Sequence, residues 1–116
     1  MKQGIAALLA LWSGVALADC PGETQAEMNA CAASIYAQAD AELNREWPKV
    51  KARMQRMGAW DELLDSQRKW LAYRDAACEA EAKLFEGGSM QPLMRSMCLA
   101  ALTEQRTREL RGLADY

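Results

Sequence analysis

The chain has 116 residues, of which 14 are basic, 16 are acidic, four are cysteine and none is histidine. A formal net charge of −2 argues against nucleic acid or an anionic membrane surface as the partner, because both bind strongly basic protein faces. The lack of histidine removes the commonest general base at neutral pH and the commonest metal ligand.

The amino-terminal segment, residues 1–18, has the pattern of a secretory signal peptide. Lys2 supplies a positive charge, an apolar stretch follows, and small residues precede a cleavage site before Asp19. The apolar stretch is shorter than the roughly 20 residues of a membrane-spanning helix, so the mature chain, residues 19–116, is predicted to be one domain without membrane insertion. Its expected location is periplasmic or secreted. Lipidation at Cys20 is disfavoured because the preceding residue is not small.

The first predicted helix follows a Pro-Gly turn. Thr24 and Glu27 have the spacing of a capping box, in which each side chain satisfies a backbone donor at the helix start. Pro48 interrupts the backbone hydrogen bonds, and because the apolar stripe continues in phase across it we expect a kink rather than two abutting helices. Gly58 ends the helix, since glycine tolerates a positive φ. The inward residues, spaced by three or four, are Met28, Cys31, Ala32, Ile35, Ala39, Leu43, Trp47, Val50, Met54 and Met57.

Two further helices are predicted, joined by a glycine turn. The second runs from about Trp60 to Phe85, and the third begins after Ser89, its expected N-cap, and continues to about Leu113. Pro92 is tolerated because the first amides of a helix have no intrahelical partner. The inward residues are Leu63, Leu64, Trp70, Leu71, Ala77, Cys78, Leu84, Met90, Leu93, Met94, Met97, Cys98, Ala101, Leu102, Leu110 and Leu113.

No segment alternates polar and apolar residues, so the sequence predicts an all-α fold. We expect a small antiparallel helical hairpin or three-helix assembly with a long kinked first helix, stapled by two disulfides. Four cysteines allow three pairings. Cys78 and Cys98 lie at similar distances from the Gly-Gly turn, about 12–14 Å along antiparallel helices, and are expected to pair. The four residues from Cys20 to the start of the first helix span about 13 Å when extended. Cys20 can therefore fold back along two helical turns and pair with Cys31.

The other residue groups do not indicate catalysis. Cysteines that are oxidised supply neither a thiolate nor a zinc site, and carboxylates on solvent-facing helical positions have no cleft to act in. Met90, Met94 and Met97 form one stripe that could hold Cu(I), but methionine fills core gaps and the stripe also carries Leu93 and Ala101. We therefore predict a binding protein, not an enzyme, with no catalytic residue, cofactor or metal.

A polar group lies near the inward side of the second helix, where Gln67, Arg74 and Glu81 recur every seven residues. A buried guanidinium has to be paired, because an isolated buried charge is costly. The candidate partners are Asp40 on the first helix and Asp75 beside the arginine. We predict that Asp40, Gln67, Arg74 and Asp75 form a structural network that holds the helices in register; a partner-binding site is the alternative.

Five short motifs occur in a specific order: TQAEMNAC at 24–31, QRKW at 67–70, RDAAC at 74–78, GGS at 87–89, and Cys98. In order and spacing they resemble the lysozyme-inhibitor LprI-like family of secreted bacterial proteins, formerly a family of unknown function. The resemblance covers nearly all of the mature chain. It implies an exported, helical, disulfide-bonded domain that inhibits a host's or competitor's lysozyme.

The resemblance implies a lysozyme as the partner, and the candidate is a c-type enzyme, which is cationic and has two carboxylates in its cleft. The turn Glu86, Gly87, Gly88 and Ser89 is the predicted contact, since its glycines permit close backbone approach and its serine offers a hydroxyl to those carboxylates. Acidic residues near the turn, including Asp75, Glu79, Glu81 and Glu86, would steer it toward a basic rim. We expect non-covalent occlusion of the cleft.

A second hypothesis is a periplasmic adaptor or envelope-stress binding module with no inhibitory activity. Its contact face would carry exposed tryptophan, which is enriched at binding hot spots. The candidates are Trp47, Trp60 and Trp70.

Overall fold

A computed structural model describes Cys20 and residues 22–116; the predicted signal peptide and its cleavage site lie outside the described residues. The described part forms three helices and no strand: α1 is Gln25–Arg56, α2 is Trp60–Lys83 and α3 is Gln91–Ala114. The all-α prediction is therefore confirmed. None of these three helices combines the length and apolar character needed to cross a membrane.

Local interactions define both ends of α1. The Thr24 hydroxyl accepts a hydrogen bond from the Glu27 amide at 3.1 Å, and the Glu27 carboxylate accepts one from the Thr24 amide at 3.3 Å, which completes the capping box. The helix continues through Pro48 without a break, so the alternative of two abutting helices is excluded, while the kink remains a prediction. Gly58 follows the helix with φ +71°, as its position predicted.

The start of α3 differs from the prediction that Ser89 is its N-cap. The N-cap is Met90, which makes no side-chain capping bond, and the Ser89 carbonyl accepts a hydrogen bond from the Asn29 side chain at 3.0 Å. The physical reason lies in Pro92. Had Ser89 capped the helix, Pro92 would have occupied the third helical position, where a capping hydroxyl needs an amide hydrogen that proline lacks.

The short connections make α2 antiparallel to both other helices, so α1 and α3 run parallel. Helix α3 packs along α1, and α2 packs mainly against α3. Two apolar clusters hold this arrangement. One contains Leu43, Val50, Leu63 and Leu110, and the other contains Ile35, Ala39 and Ala100.

Five residues expected to point inward are instead exposed. Met57 and Leu84 are 62% and 80% exposed because they stand just beyond α1 and α2, where helical periodicity no longer places a side chain. Met90 stands just before α3, and Leu71 and Ala101 face solvent within their helices.

Both disulfides form with the predicted pairing. The Cα atoms of Cys20 and Cys31 are 5.6 Å apart, and those of Cys78 and Cys98 are 5.5 Å apart. The described part contains no free cysteine. The first bridge ties the segment before α1 to that helix, and the second ties α2 to α3 below the Gly-Gly turn.

Candidate functional site

The turn between α2 and α3 is exposed and held by hydrogen bonds. Gly87 has φ +82°, a conformation that favours glycine, and the Gly88 amide donates to the Phe85 carbonyl at 3.0 Å. The bond from Asn29 to the Ser89 carbonyl anchors the turn to α1. The turn residues Glu86, Gly87, Gly88 and Ser89 are all exposed. The structure thus places the four predicted contact residues together at one end of the molecule.

Apolar side chains flank this turn. Leu84 is 80% exposed and Met90 is also exposed, while Phe85 is half-buried. Together with Glu86, Gly88 and Ser89 they line a shallow depression of about 390 Å³. Sequence periodicity assigned Leu84 and Met90 to the core, so this apolar rim was missed. The signal available in the sequence was their position next to the glycines, outside the regular helices.

The acidic residues near the turn are mostly paired within the chain. Asp75 accepts a hydrogen bond from Arg74 at 3.0 Å, and Glu86 accepts one from Lys83 at 3.0 Å. Glu79 accepts two bonds from Arg95, at 3.0 and 2.8 Å, and this bonding lowers the pKa of Glu79 below its ordinary value. Glu81 was expected near the inward side of α2 but is exposed, and it forms no ion pair within the described part of the chain.

Charge is distributed unevenly along the bundle. The half that carries the turn, residues 22–40 and 74–98, contains seven carboxylates and three basic side chains, a net charge of −4. The opposite half, residues 41–73 and 99–116, contains eight carboxylates and ten basic side chains, a net charge of +2. The overall balance therefore conceals an acidic end and a basic end, and the turn projects from the acidic one.

An open apolar groove of about 600 Å³ lies between α2 and α3 beside the Cys78–Cys98 bridge. Its apolar lining includes Met94 and Met97, two members of the methionine stripe, and Glu81 is its one charged lining residue. Met97 also packs against the Ile35 cluster, in agreement with a packing role for that side chain. Tyr73, Ala77, Cys98, Ala101 and Leu102 complete the lining.

The polar network is built around Arg74, which is only 8% exposed. Its guanidinium donates to Asp75 at 3.0 Å and to the buried Thr103 hydroxyl at 3.4 Å, and it lies 5.6 Å from the Tyr36 ring centre. The predicted partner Asp40 is not bonded to it; Asp40 accepts a hydrogen bond from Asn44 on its own helix at 3.4 Å. Asp75, the next residue in the chain, pairs with Arg74, so the arginine needs no carboxylate from α1.

The buried Gln67 belongs to the same α2–α3 interface. Its side-chain oxygen accepts a hydrogen bond from Arg106 at 2.8 Å, and Arg106 also donates to Ser66 at 3.1 Å. The guanidinium groups of Arg74 and Arg106 lie 5.2 and 5.9 Å from the centre of the Trp70 ring. Arg106 was not identified from the sequence, because its partner lies 39 residues away.

The three candidate tryptophans are half-buried and pack against the Leu43 cluster. The rings of Trp47 and Trp60 are 5.7 Å apart, and the Lys51 ammonium lies 5.0 Å from the Trp60 ring centre. These contacts account for the tryptophans as packing residues. Within residues 22–116, no three His, Cys, Asp or Glu side chains are grouped so as to hold a metal ion.

The family model described as "Lysozyme inhibitor LprI" matches residues 18–110. The chain is also similar to "Uncharacterized protein R02472" of Rhizobium meliloti (strain 1021). The two are 40% identical over 104 residues, which cover 79% of this chain and 75% of the relative. No solved structure matches the chain. Since the relative's name states no activity, the family match alone connects the chain with lysozyme.

Proposed function

Because the chain belongs to the LprI family of lysozyme inhibitors, we propose that it is an exported protein that binds a c-type lysozyme and occludes its cleft. The family match over residues 18–110 carries this proposal. Inhibition by occlusion requires recognition and no reacting group, which accords with a chain that has no histidine. The signal-peptide pattern of residues 1–18 supports export to the periplasm or beyond, where such an enzyme would be met.

The proposed contact is the turn Glu86–Ser89 with its apolar flank, Leu84 and Met90. A protruding turn that is already held by Asn29 and by backbone bonds loses little conformational entropy when it enters a cleft. The exposed Leu84 and Met90 supply apolar surface, and binding would release the water that covers this surface.

Charge supports this orientation at two distances. At long range, the net charge of −4 on the turn half attracts a cationic enzyme and raises the association rate. At short range, Lys83 neutralises Glu86 at the tip, so the turn does not present an unpaired carboxylate to the two cleft carboxylates of the enzyme. Ser89 adds a hydroxyl that can donate to one of them.

The test is inhibition of a c-type lysozyme by the purified mature protein, measured as the rate of lysis of peptidoglycan-bearing cells. We expect the rate to fall at micromolar excess, and the effect to weaken as salt rises because steering is screened. Leu84→Ser should reduce inhibition about tenfold or more, as loss of a buried apolar anchor does at interfaces. Met57→Ser is the matched control, since Met57 is 62% exposed at the opposite end.

Neither variant should change stability much, because both side chains face solvent. Unchanged lysis with the wild-type protein would refute inhibition of this enzyme class. Equal loss of inhibition in both variants would show that the turn is not the contact.

A further inference from the structure

We propose that the groove between α2 and α3 is the second part of the lysozyme-binding surface. In this proposal it receives an apolar segment of the enzyme surface whose basic side chain pairs with Glu81. The inference rests on the proposed inhibition and specifies where the rest of the contact lies.

The groove lies next to the apolar flank of the turn on the α2–α3 hairpin. Glu81 lines the groove and Leu84, three residues later and just beyond α2, lines the depression beside the turn; Met94 and Met90 lie in the same way, four residues apart, at the start of α3. From Leu84 to Tyr73 this strip runs for about 16 Å along α2. A partner seated on the turn could therefore also reach the groove.

The area required for a stable complex supports a contact larger than the turn. Specific protein complexes bury about 800 Å² on each partner, and a turn of four residues supplies only a part of that area. The groove adds Tyr73, Met94 and Leu102 in a concave shape, which suits a convex segment of a partner.

Glu81 determines the chemistry of the occupant. It is exposed, it is the charged residue of an otherwise apolar lining, and it forms no ion pair within residues 22–116. Its neighbour Glu79 is already bonded to Arg95. An arginine or lysine of a cationic enzyme would form an ion pair with Glu81. A second copy of this chain would instead bring two acidic halves together, and they would repel each other.

The experiment compares two pairs of variants in binding titrations with a c-type lysozyme and in the lysis assay. Ala101→Arg fills the groove from an exposed position, and Ala37→Arg places the same charge on an exposed face of α1 at the same height, since Ile35 and Ala39 pack against Ala100. Glu81→Gln removes the proposed pair, and Glu23→Gln removes one exposed carboxylate from the same acidic half.

We expect Ala101→Arg to weaken binding about tenfold or more and Glu81→Gln about fivefold or more, with a smaller salt dependence for the latter. Ala37→Arg and Glu23→Gln should change affinity less than about twofold. Wild-type affinity of both groove variants, while Leu84→Ser still loses inhibition, would overturn the groove and leave the turn in place. Absence of inhibition by the wild-type protein would instead refute the proposed function.

The oligomeric state of the protein alone, measured by sedimentation, is a further test of the proposal. A monomer at micromolar concentration agrees with the proposal, because the groove is then open to the enzyme. A dimer that Ala101→Arg dissociates would overturn it, since the groove would be an interface between two copies.

Discussion

Removal of the Cys78–Cys98 bridge should destabilise the protein more than removal of the Cys20–Cys31 bridge. The two bridges close loops with sequence separations of 20 and 11 residues. Loop-closure entropy then predicts losses of about 3.3 and about 2.8 kcal/mol. Cys78 is buried, so its replacement by alanine also leaves a small cavity that adds about 1 kcal/mol.

We expect Cys78→Ala/Cys98→Ala to lose about 4 kcal/mol and Cys20→Ala/Cys31→Ala about 3 kcal/mol. For a domain of this size, a loss of about 4 kcal/mol lowers Tm by roughly 15–30 °C. Urea unfolding followed by circular dichroism under oxidising conditions measures both values, and equal slopes show that the same surface unfolds.

The Cys78–Cys98 bridge also encloses the turn Glu86–Ser89, so its removal should weaken lysozyme binding by loosening the protrusion. The Cys20–Cys31 variant is the control for this effect, because it leaves the α2–α3 hairpin closed. The reasoning would be refuted if Cys78→Ala/Cys98→Ala lost less than about 1 kcal/mol, or less than the control variant.

Three further predictions concern stability. Leu110→Ala should lose about 2–5 kcal/mol in urea unfolding, since Leu110 is fully buried; a smaller loss would contradict its place in the core. Thr24→Ala should lose about 1 kcal/mol and reduce protection of the first α1 amides in hydrogen exchange; unchanged protection would contradict the capping role. Hydrogen bonds from Thr24, Arg45 and Arg95 lower the pKa of Glu27, Glu42 and Glu79, respectively. The stabilisation that these three ionised carboxylates contribute is complete above the ordinary pKa of 4.5 and is lost as the pH falls through their lower folded-state pKa values. The urea midpoint of unfolding should therefore fall as the pH is lowered below about 4.5. The chain has no histidine, so the urea midpoint should stay level from about pH 6 to 8. A step in that range would contradict the assignment of the pH dependence to carboxylates.

The sequence by itself determined the features that depend on neighbours close in the chain. The capping box at Thr24, the glycine at the end of α1 and the presence of three helices follow from residues three or four apart. The disulfide pairing followed almost as directly, because Cys78 and Cys98 stand at matching distances from a tight turn. The predicted contact residues also lie together, since they are consecutive.

Only the tertiary structure decided which polar side chains meet across helices. Arg74 bonds Thr103 rather than Asp40, and Arg106 bonds Gln67 from 39 residues away, because these contacts depend on how each helix is rotated against its neighbour. Helical periodicity fixes which residues share a face of one helix, but it does not set that rotation. The groove beside the Cys78–Cys98 bridge also depends on that rotation. Leu84 is exposed for a different reason, because α2 ends at Lys83, and the separation of charge follows from which helix ends lie together.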